Sequence, residues 1–263
     1  MRFAGKQYAE EVYTRLAARR ADMPDNLTLG IVCCEPDAVI ESFVRIKARA
    51  AERLGICIVR KDIPAKEGEQ GIITAIEQLA HESHGIIVQL PLPTHFNLET
   101  ILAGLPGSHD VDGIGGNPRV MPPVARAVAA ILEKGGVALE GRMAVVVGAG
   151  RLVGAPVAHM LREKGARVQT LIRGDALDVL TEAEIIVSGA GSPGLISPNM
   201  IREGVVLIDA GTSEQGGKVR GDADAACAEK CALFTPVPGG VGPVAVAMIF
   251  ENLFELACLG VEK

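Results

Sequence analysis

In Met143-Ala144-Val145-Val146-Val147-Gly148-Ala149-Gly150-Arg151-Leu152-Val153-Gly154, a short apolar run leads directly into a glycine-rich turn. The run reads as a buried strand, and the pattern over residues 153–164, stopped by Gly165, reads as the helix that follows. Strand, tight turn and helix in this order open a dinucleotide-binding unit. The first glycine permits the turn, the second admits a diphosphate to the backbone, and the third lets helix pack on strand. The exposed N–H groups and positive end of the helix then suit phosphates. The spacing here is Gly-x-Gly-x-x-x-Gly, which an ordinary tight strand–helix connection also allows; the apolar strand in front of it favours a nucleotide. Gly148, Gly150, Arg151, Leu152, Val153 and Gly154 are therefore candidate cofactor-binding residues, and Gly191 joins them.

Outward from this turn, strands alternate with helices. Downstream, strands are expected at 167–172, 184–188 and 205–208; upstream, a helix at 124–134 is stopped by Gly135-Gly136. Before that come a helix at 6–20, strands at 27–34, 56–60 and 85–90, and helices at 42–54, 71–81 and 97–105. Such alternation predicts parallel sheets. We expect two α/β domains, the second a Rossmann-type doubly wound parallel sheet, with a cleft between them. Residues 1–122 form the first and 123–243 the second, divided near Pro122-Pro123. A closing helix within 244–263, started by Pro243, is expected to return to the first domain, because its apolar face (Val246, Ile249, Phe250, Leu253, Leu256) needs a partner.

Composition narrows the function. The chain has 263 residues, 48% hydrophobic and 22% charged, which excludes disorder and fibrous repeats. Only 3% are aromatic, so the core is built from Ala, Val, Ile and Leu. A net charge of -6 with no Lys/Arg block points away from nucleic acid. The apolar runs, such as 244–250, fall short of a membrane span, and the first residues carry no secretory pattern, so a cytoplasmic protein is expected. The six cysteines never form a CxxC and read as reduced thiols; Cys227 and Cys231 lack partners for a metal site, and no metal is expected.

Arg173 is the first charged residue after the 167–172 strand, and Arg151 stands in the turn itself. Two guanidinium groups suit a 2′-phosphate, which favours NADP; Asp175 keeps NAD open.

Phe43 and Lys47 share a helix face. Val88-Gln89-Leu90-Pro91-Leu92-Pro93 puts a glutamine at the carboxyl end of a strand, where open parallel sheets bind ligands. Asp110-Val111-Asp112-Gly113 follows, then Thr235-Pro236-Val237-Pro238-Gly239-Gly240-Val241-Gly242-Pro243. Together these segments, in order over nearly the whole chain, resemble the methylenetetrahydrofolate dehydrogenase/cyclohydrolase family. The resemblance implies oxidation of methylenetetrahydrofolate with NADP, then hydrolysis of the methenyl product to 10-formyltetrahydrofolate. It implies that Lys47 is the catalytic lysine, bonded to Gln89, and that Asp112 grips the pterin. Phe43, Pro91, Gly239, Gly240 and Val241 would contact the substrate, the last three offering bare backbone. It also implies a homodimer acting on tetrahydrofolate derivatives.

Several positions depart from the family pattern. The family tyrosine is Phe43, which keeps the ring and loses the hydroxyl. Asp37-Ala38-Val39-Ile40 replaces Asp-Pro-Ala-Ser, His109 replaces a lysine, and the loop after Gly113 is short. Pro122-Pro123-Val124-Ala125 stands for Pro-Cys-Thr-Pro, Ala149 and Gly150 stand for the arginine and serine of the turn, and Val244-Ala245 lacks the usual threonine. Lys47, Gln89 and Asp112 match. His109 is an acid–base candidate or a solvated loop residue, and His81, His84 and His95 read as surface groups. The alternatives are a non-catalytic or monofunctional folate- or nucleotide-binding relative, and another two-domain NADP dehydrogenase of shikimate or amino-acid type. The last explains the glycine turn but neither VQLPLP nor PVPGGVGP.

Overall fold

The computed structural model describes residues 1–215 and 218–261. The chain folds as two compact units. One comprises Glu11–Pro123 and the residues from Val246 on; the other comprises Met1–Glu10 and Val124–Ala245. The first ten residues, expected with the first domain, group with the second unit by their contacts. Phe3 donates its N–H to the Phe234 carbonyl (2.8 Å), Phe234 donates to Met1 (2.9 Å), and the terminal ammonium donates to Ala232 (2.8 Å). The first residues therefore pair with the sheet edge at Phe234, and Met1-Arg2-Phe3 is too short to announce a strand by periodicity.

In the first unit, β1 (Thr28–Cys34), β2 (Cys57–Ile63) and β3 (Gly85–Val88) form a parallel sheet in the order β2-β1-β3. Central β1 is buried at every position, as a strand covered on both faces must be. The helices are α1 (Gly5–Arg19, from Glu11 on), α2 (Ala38–Arg53), α3 (Gly68–Glu82) and α4 (Leu98–Ala103). Helix α2 starts four residues before the expected 42, because the Asp37 carboxylate accepts from the N–H groups of Val39 (3.0 Å) and Ile40 (2.8 Å). The chain leaves β1 toward one neighbour and returns to the other, so the carboxyl ends of β1 and β3 present α2 and residues 89–93.

The second unit holds α5 (Pro123–Lys134), β4 (Met143–Val147), α6 (Gly154–Glu163), β5 (Arg167–Leu171), β6 (Ile185–Ser188) and β7 (Val206–Asp209). An antiparallel hairpin, β8 (Ser213–Gln215) with β9 (Lys218–Arg220), and β10 (Leu233–Phe234) complete it; the sequence patterns did not indicate these three. The parallel sheet runs β10-β7-β6-β4-β5, a doubly wound sheet that switches direction at β4. Its core is aliphatic, with Val145, Ile186, Leu180 and Leu207 wholly buried.

The last helix, α7 (Val241–Val261), begins before the expected 244. By length and composition it is long enough to cross a bilayer, contrary to the estimate from uninterrupted runs. Its large residues are nevertheless core: Phe250, Leu253 and Phe254 are fully buried, and buried Asn252 donates to the carbonyls of Val111 (2.8 Å) and Met121 (2.9 Å). That tether holds the Asp110–Gly113 turn against the helix.

Candidate active site

Within the first unit, α2 and the end of β3 bring two of the expected residues into contact. Lys47 Nζ donates to Gln89 Oε1 at 2.7 Å. Gln89 is buried, and its own amide is fixed: Nε2 donates to the Leu90 carbonyl (2.7 Å), and its backbone N–H donates to Val32 (2.9 Å). Its carbonyl oxygen is thereby the face offered to lysine. Burial pushes the Lys47 pKa down, opposed by the Asp112 charge. Burial pushes Asp112 up to about 6; Lys47 pulls it down and Asp110 raises it further. An ammonium and a carboxyl group thus sit within electrostatic reach, both displaced toward neutrality, as proton exchange requires.

The turn carrying Asp112 is held by Asp110, which is wholly buried and accepts from the Gly115 N–H at 2.7 Å. Burial is the main cause of its raised pKa. His109 is half-buried beside Ser108 Oγ (3.0 Å), and burial, followed by His84, His81 and Arg119, lowers its pKa. His84 is no mere surface group, since Nδ1 accepts from the Thr28 N–H at 3.2 Å. Phe43 is 44% exposed on α2 and Pro91 is exposed beyond β3.

In the second unit, a cavity of about 580 Å³ lies at the carboxyl ends of β4, β5 and β6. Gly148, Gly150, Arg173 and Gly191 line it; Arg151, Leu152, Val153 and Gly154 do not. Gly148 adopts φ +100, and a Cβ on Gly154 would lie 1.9 Å from its carbonyl oxygen, so Gly154 serves the close approach of helix to turn. Val153 packs under Gly189, where a Cβ would meet Cγ1 at 2.3 Å. A positive-φ glycine turn at a helix start, opening on a cavity of this size, fits a dinucleotide. Asp175 is occupied in shaping the wall: its carboxylate accepts from the Ile172 N–H at 2.8 Å.

The two glycines at 239–240 differ in their surroundings. A Cβ on Gly240 would meet the Pro236 carbonyl oxygen at 2.6 Å, and one on Gly5 would meet the Gly240 oxygen at 1.9 Å. A side chain at 240 is thus excluded by packing of the chain on itself, and Val241 is 3% exposed. Gly239, at φ +104 and half-buried, has open space at its Cβ position apart from Lys6 Cε at 3.9 Å.

Residues 3–112 match the family described as tetrahydrofolate dehydrogenase/cyclohydrolase, catalytic domain, and residues 122–260 match its NAD(P)-binding domain. The chain belongs to this family. It is 35% identical to bifunctional protein FolD 2 of Geobacter sulfurreducens, over 96% of this chain and 95% of the relative. It is similar to the crystal structure of the Campylobacter jejuni bifunctional FolD (TM-score 0.94, 30% identity, 99% of both chains). The Trypanosoma brucei FolD, solved with NADP cofactor and inhibitor, superposes with TM-score 0.93 at 29% identity over 100% of this chain and 99% of that one. Shikimate dehydrogenase of Aquifex aeolicus shares the fold alone, at TM-score 0.57 and 14% identity.

Sequence reading passed over one residue that sits behind the wall of the cavity beside Gly148. Asp222, wholly buried, accepts from Ser188 Oγ (2.6 Å) and from the N–H groups of Ala190 (2.8 Å) and Ser192 (2.6 Å), two residues of the cavity wall. Gly221-Asp222-Ala223 sits between short elements, with no periodicity or spacing to mark it.

Proposed function

We propose that this chain oxidises 5,10-methylenetetrahydrofolate to 5,10-methenyltetrahydrofolate with NADP and hydrolyses that product to 10-formyltetrahydrofolate. The observation that carries the reading is the 2.7 Å contact of Lys47 with Gln89, with Asp112 acting electrostatically on the same lysine, inside the span 3–112 matched by the catalytic domain.

NADP, when bound, accepts the hydride from the methylene bridge. Gly148, Gly150 and Gly191 cradle it, with Gly154 and Val153 setting the turn, Arg151 and Leu152 completing it, and Arg173 free to fork onto the 2′-phosphate. Arg173 makes no ion pair among the described residues, whereas Asp175 already serves Ile172, and this favours NADP over NAD. In ring opening, Lys47 exchanges a proton with the water that adds to the methenyl carbon, its ammonium weakened by burial. Gln89 keeps Nζ in place. Asp112, ionised above about pH 6, accepts from the pterin amino and ring N–H groups. Phe43 supplies a ring to stack on and no proton, which leaves proton handling to Lys47. Pro91, exposed beyond β3, borders the folate; in the 239–241 turn Gly239 offers backbone, and Gly240 and Val241 fix the shape of the turn.

We read the protein further as a cytoplasmic homodimer with neither nucleic acid nor membrane as partner. The net charge of -6 and the buried apolar face of α7 support the second part, and the family resemblance supports the dimer. Mixing the protein with methylenetetrahydrofolate and NADP, while following methenyl absorbance and reduced nicotinamide together, tests the function. A coupled rise of both is expected; absence of both overturns the reading.

A further inference from the structure

Asp222 is a full carboxylate at 0% exposure, a costly thing to bury unless its acceptor sites are filled. They are filled by the cavity wall. Oδ2 accepts from Ser188 Oγ and the Ala190 N–H, and Oδ1 accepts from the Ser192 N–H. Between these clamped amides lies Gly191, at φ +64, with its carbonyl held by Ser213 Oγ at 2.8 Å. Residues 190–192 form no helix or strand, yet every one of them is anchored.

Nearby Asp209, also buried, gives a contrast. Its carboxylate accepts from Gly211 (2.9 Å) and Ala223 (2.9 Å), neither of which lines the cavity. Of the two acids, Asp222 alone reaches the wall.

We propose that Asp222 is a positioning residue for the nucleotide, fixing the Ala190–Gly191–Ser192 wall in the shape that NADP requires. The proposal rests on the assignment of this cavity to NADP. Two loop amides and a hydroxyl converge on one charge, so the wall has one low-energy arrangement before any ligand arrives, and binding need not order it.

Asp222→Asn tests this. The amide keeps the shape but turns one acceptor into a donor, leaving the Ala190 or Ser192 N–H facing an N–H group. In the folded variant, checked by circular dichroism, the NADP dissociation constant should rise at least tenfold. The rate at saturating NADP and hydrolysis of methenyltetrahydrofolate supplied without nucleotide should stay near wild type. General destabilisation, by contrast, would lower both activities in proportion and leave the affinity of the surviving enzyme unchanged. A folded Asp222→Asn that binds NADP within twofold of wild type overturns the proposal. Wild type that binds no NADP overturns the cavity assignment along with it. Should Asp222→Asn not fold, Ser188→Ala takes its place: loss of the lateral anchor should weaken NADP about threefold, and unchanged affinity overturns the proposal.

Discussion

The two ligand-handling regions are built by opposite means. Around Lys47 the work belongs to side-chain atoms: an ammonium on an amide oxygen at 2.7 Å and a carboxyl group that lysine pulls toward ionisation. Around Gly148 it belongs to backbone, shaped by the absence of side chains and by buried carboxylates that hold loops. The difference explains how the glycine turn accommodates its own departures from the pattern. Replacing turn side chains with Ala149 and Gly150 leaves the N–H groups in place, since every residue but proline carries one. Replacing Lys47 or Asp112 would remove the atoms themselves.

The largest effect that separates the regions is expected at Lys47. Lys47→Met keeps an unbranched stem and removes the ammonium; ring opening should fall by at least the roughly hundredfold typical of a lost general acid or base. NADP affinity, measured by titration, should be unchanged. Next comes Asp112→Asn, which presents a donor to donors. Folate affinity should fall by about 1.5–3 kcal/mol, with rate recoverable at high substrate. The pH dependence has a definite sign. Asp112 binds as carboxylate, and its pKa is raised to about 6, so wild-type folate affinity is full above that value and declines as pH falls through it. In Asp112→Asn this decline should vanish.

On the nucleotide side, Arg173→Ala should cost NADP about 1.5 kcal/mol, roughly tenfold, and leave NAD alone. Equal loss for both nucleotides would show that Arg173 does not read the phosphate. The smallest change is expected from Phe43→Tyr, which adds one oxygen to a ring that is already 44% exposed. Cyclohydrolase rate should rise no more than about fivefold, near 1 kcal/mol, and dehydrogenase rate less.

Legibility in the sequence follows the same division. Strands β1, β4 and β6 are apolar runs bounded by turns, and buried parallel strands have no other way to look. The contact of Lys47 with Gln89 is legible through the family resemblance, with Gln89 at the carboxyl end of a strand. What escaped were features created by distant contacts. Met1–Glu10 joins the second unit through three backbone bonds with residues 232–234, which leave no trace in local pattern. Asp222 looks like any loop acid until Ser188, Ala190 and Ser192 are seen around it. The tight packing of Gly240 against Pro236 and Gly5 is likewise set by contacts distant in sequence or hidden in the turn, and the motif does not display it. The early start of α2 is, in contrast, written locally in Asp37, a residue type that caps helices.

On the proposed function, proton handling resides in the Lys47 region and needs nothing from the cavity beside Gly148. The most direct measurement is hydrolysis of supplied methenyltetrahydrofolate with no nucleotide present, comparing wild type, Lys47→Met and buffer alone. Wild type should open the ring well above buffer, and Lys47→Met should fall close to buffer. Wild type no faster than buffer, or Lys47→Met as fast as wild type, would contradict the proposed function.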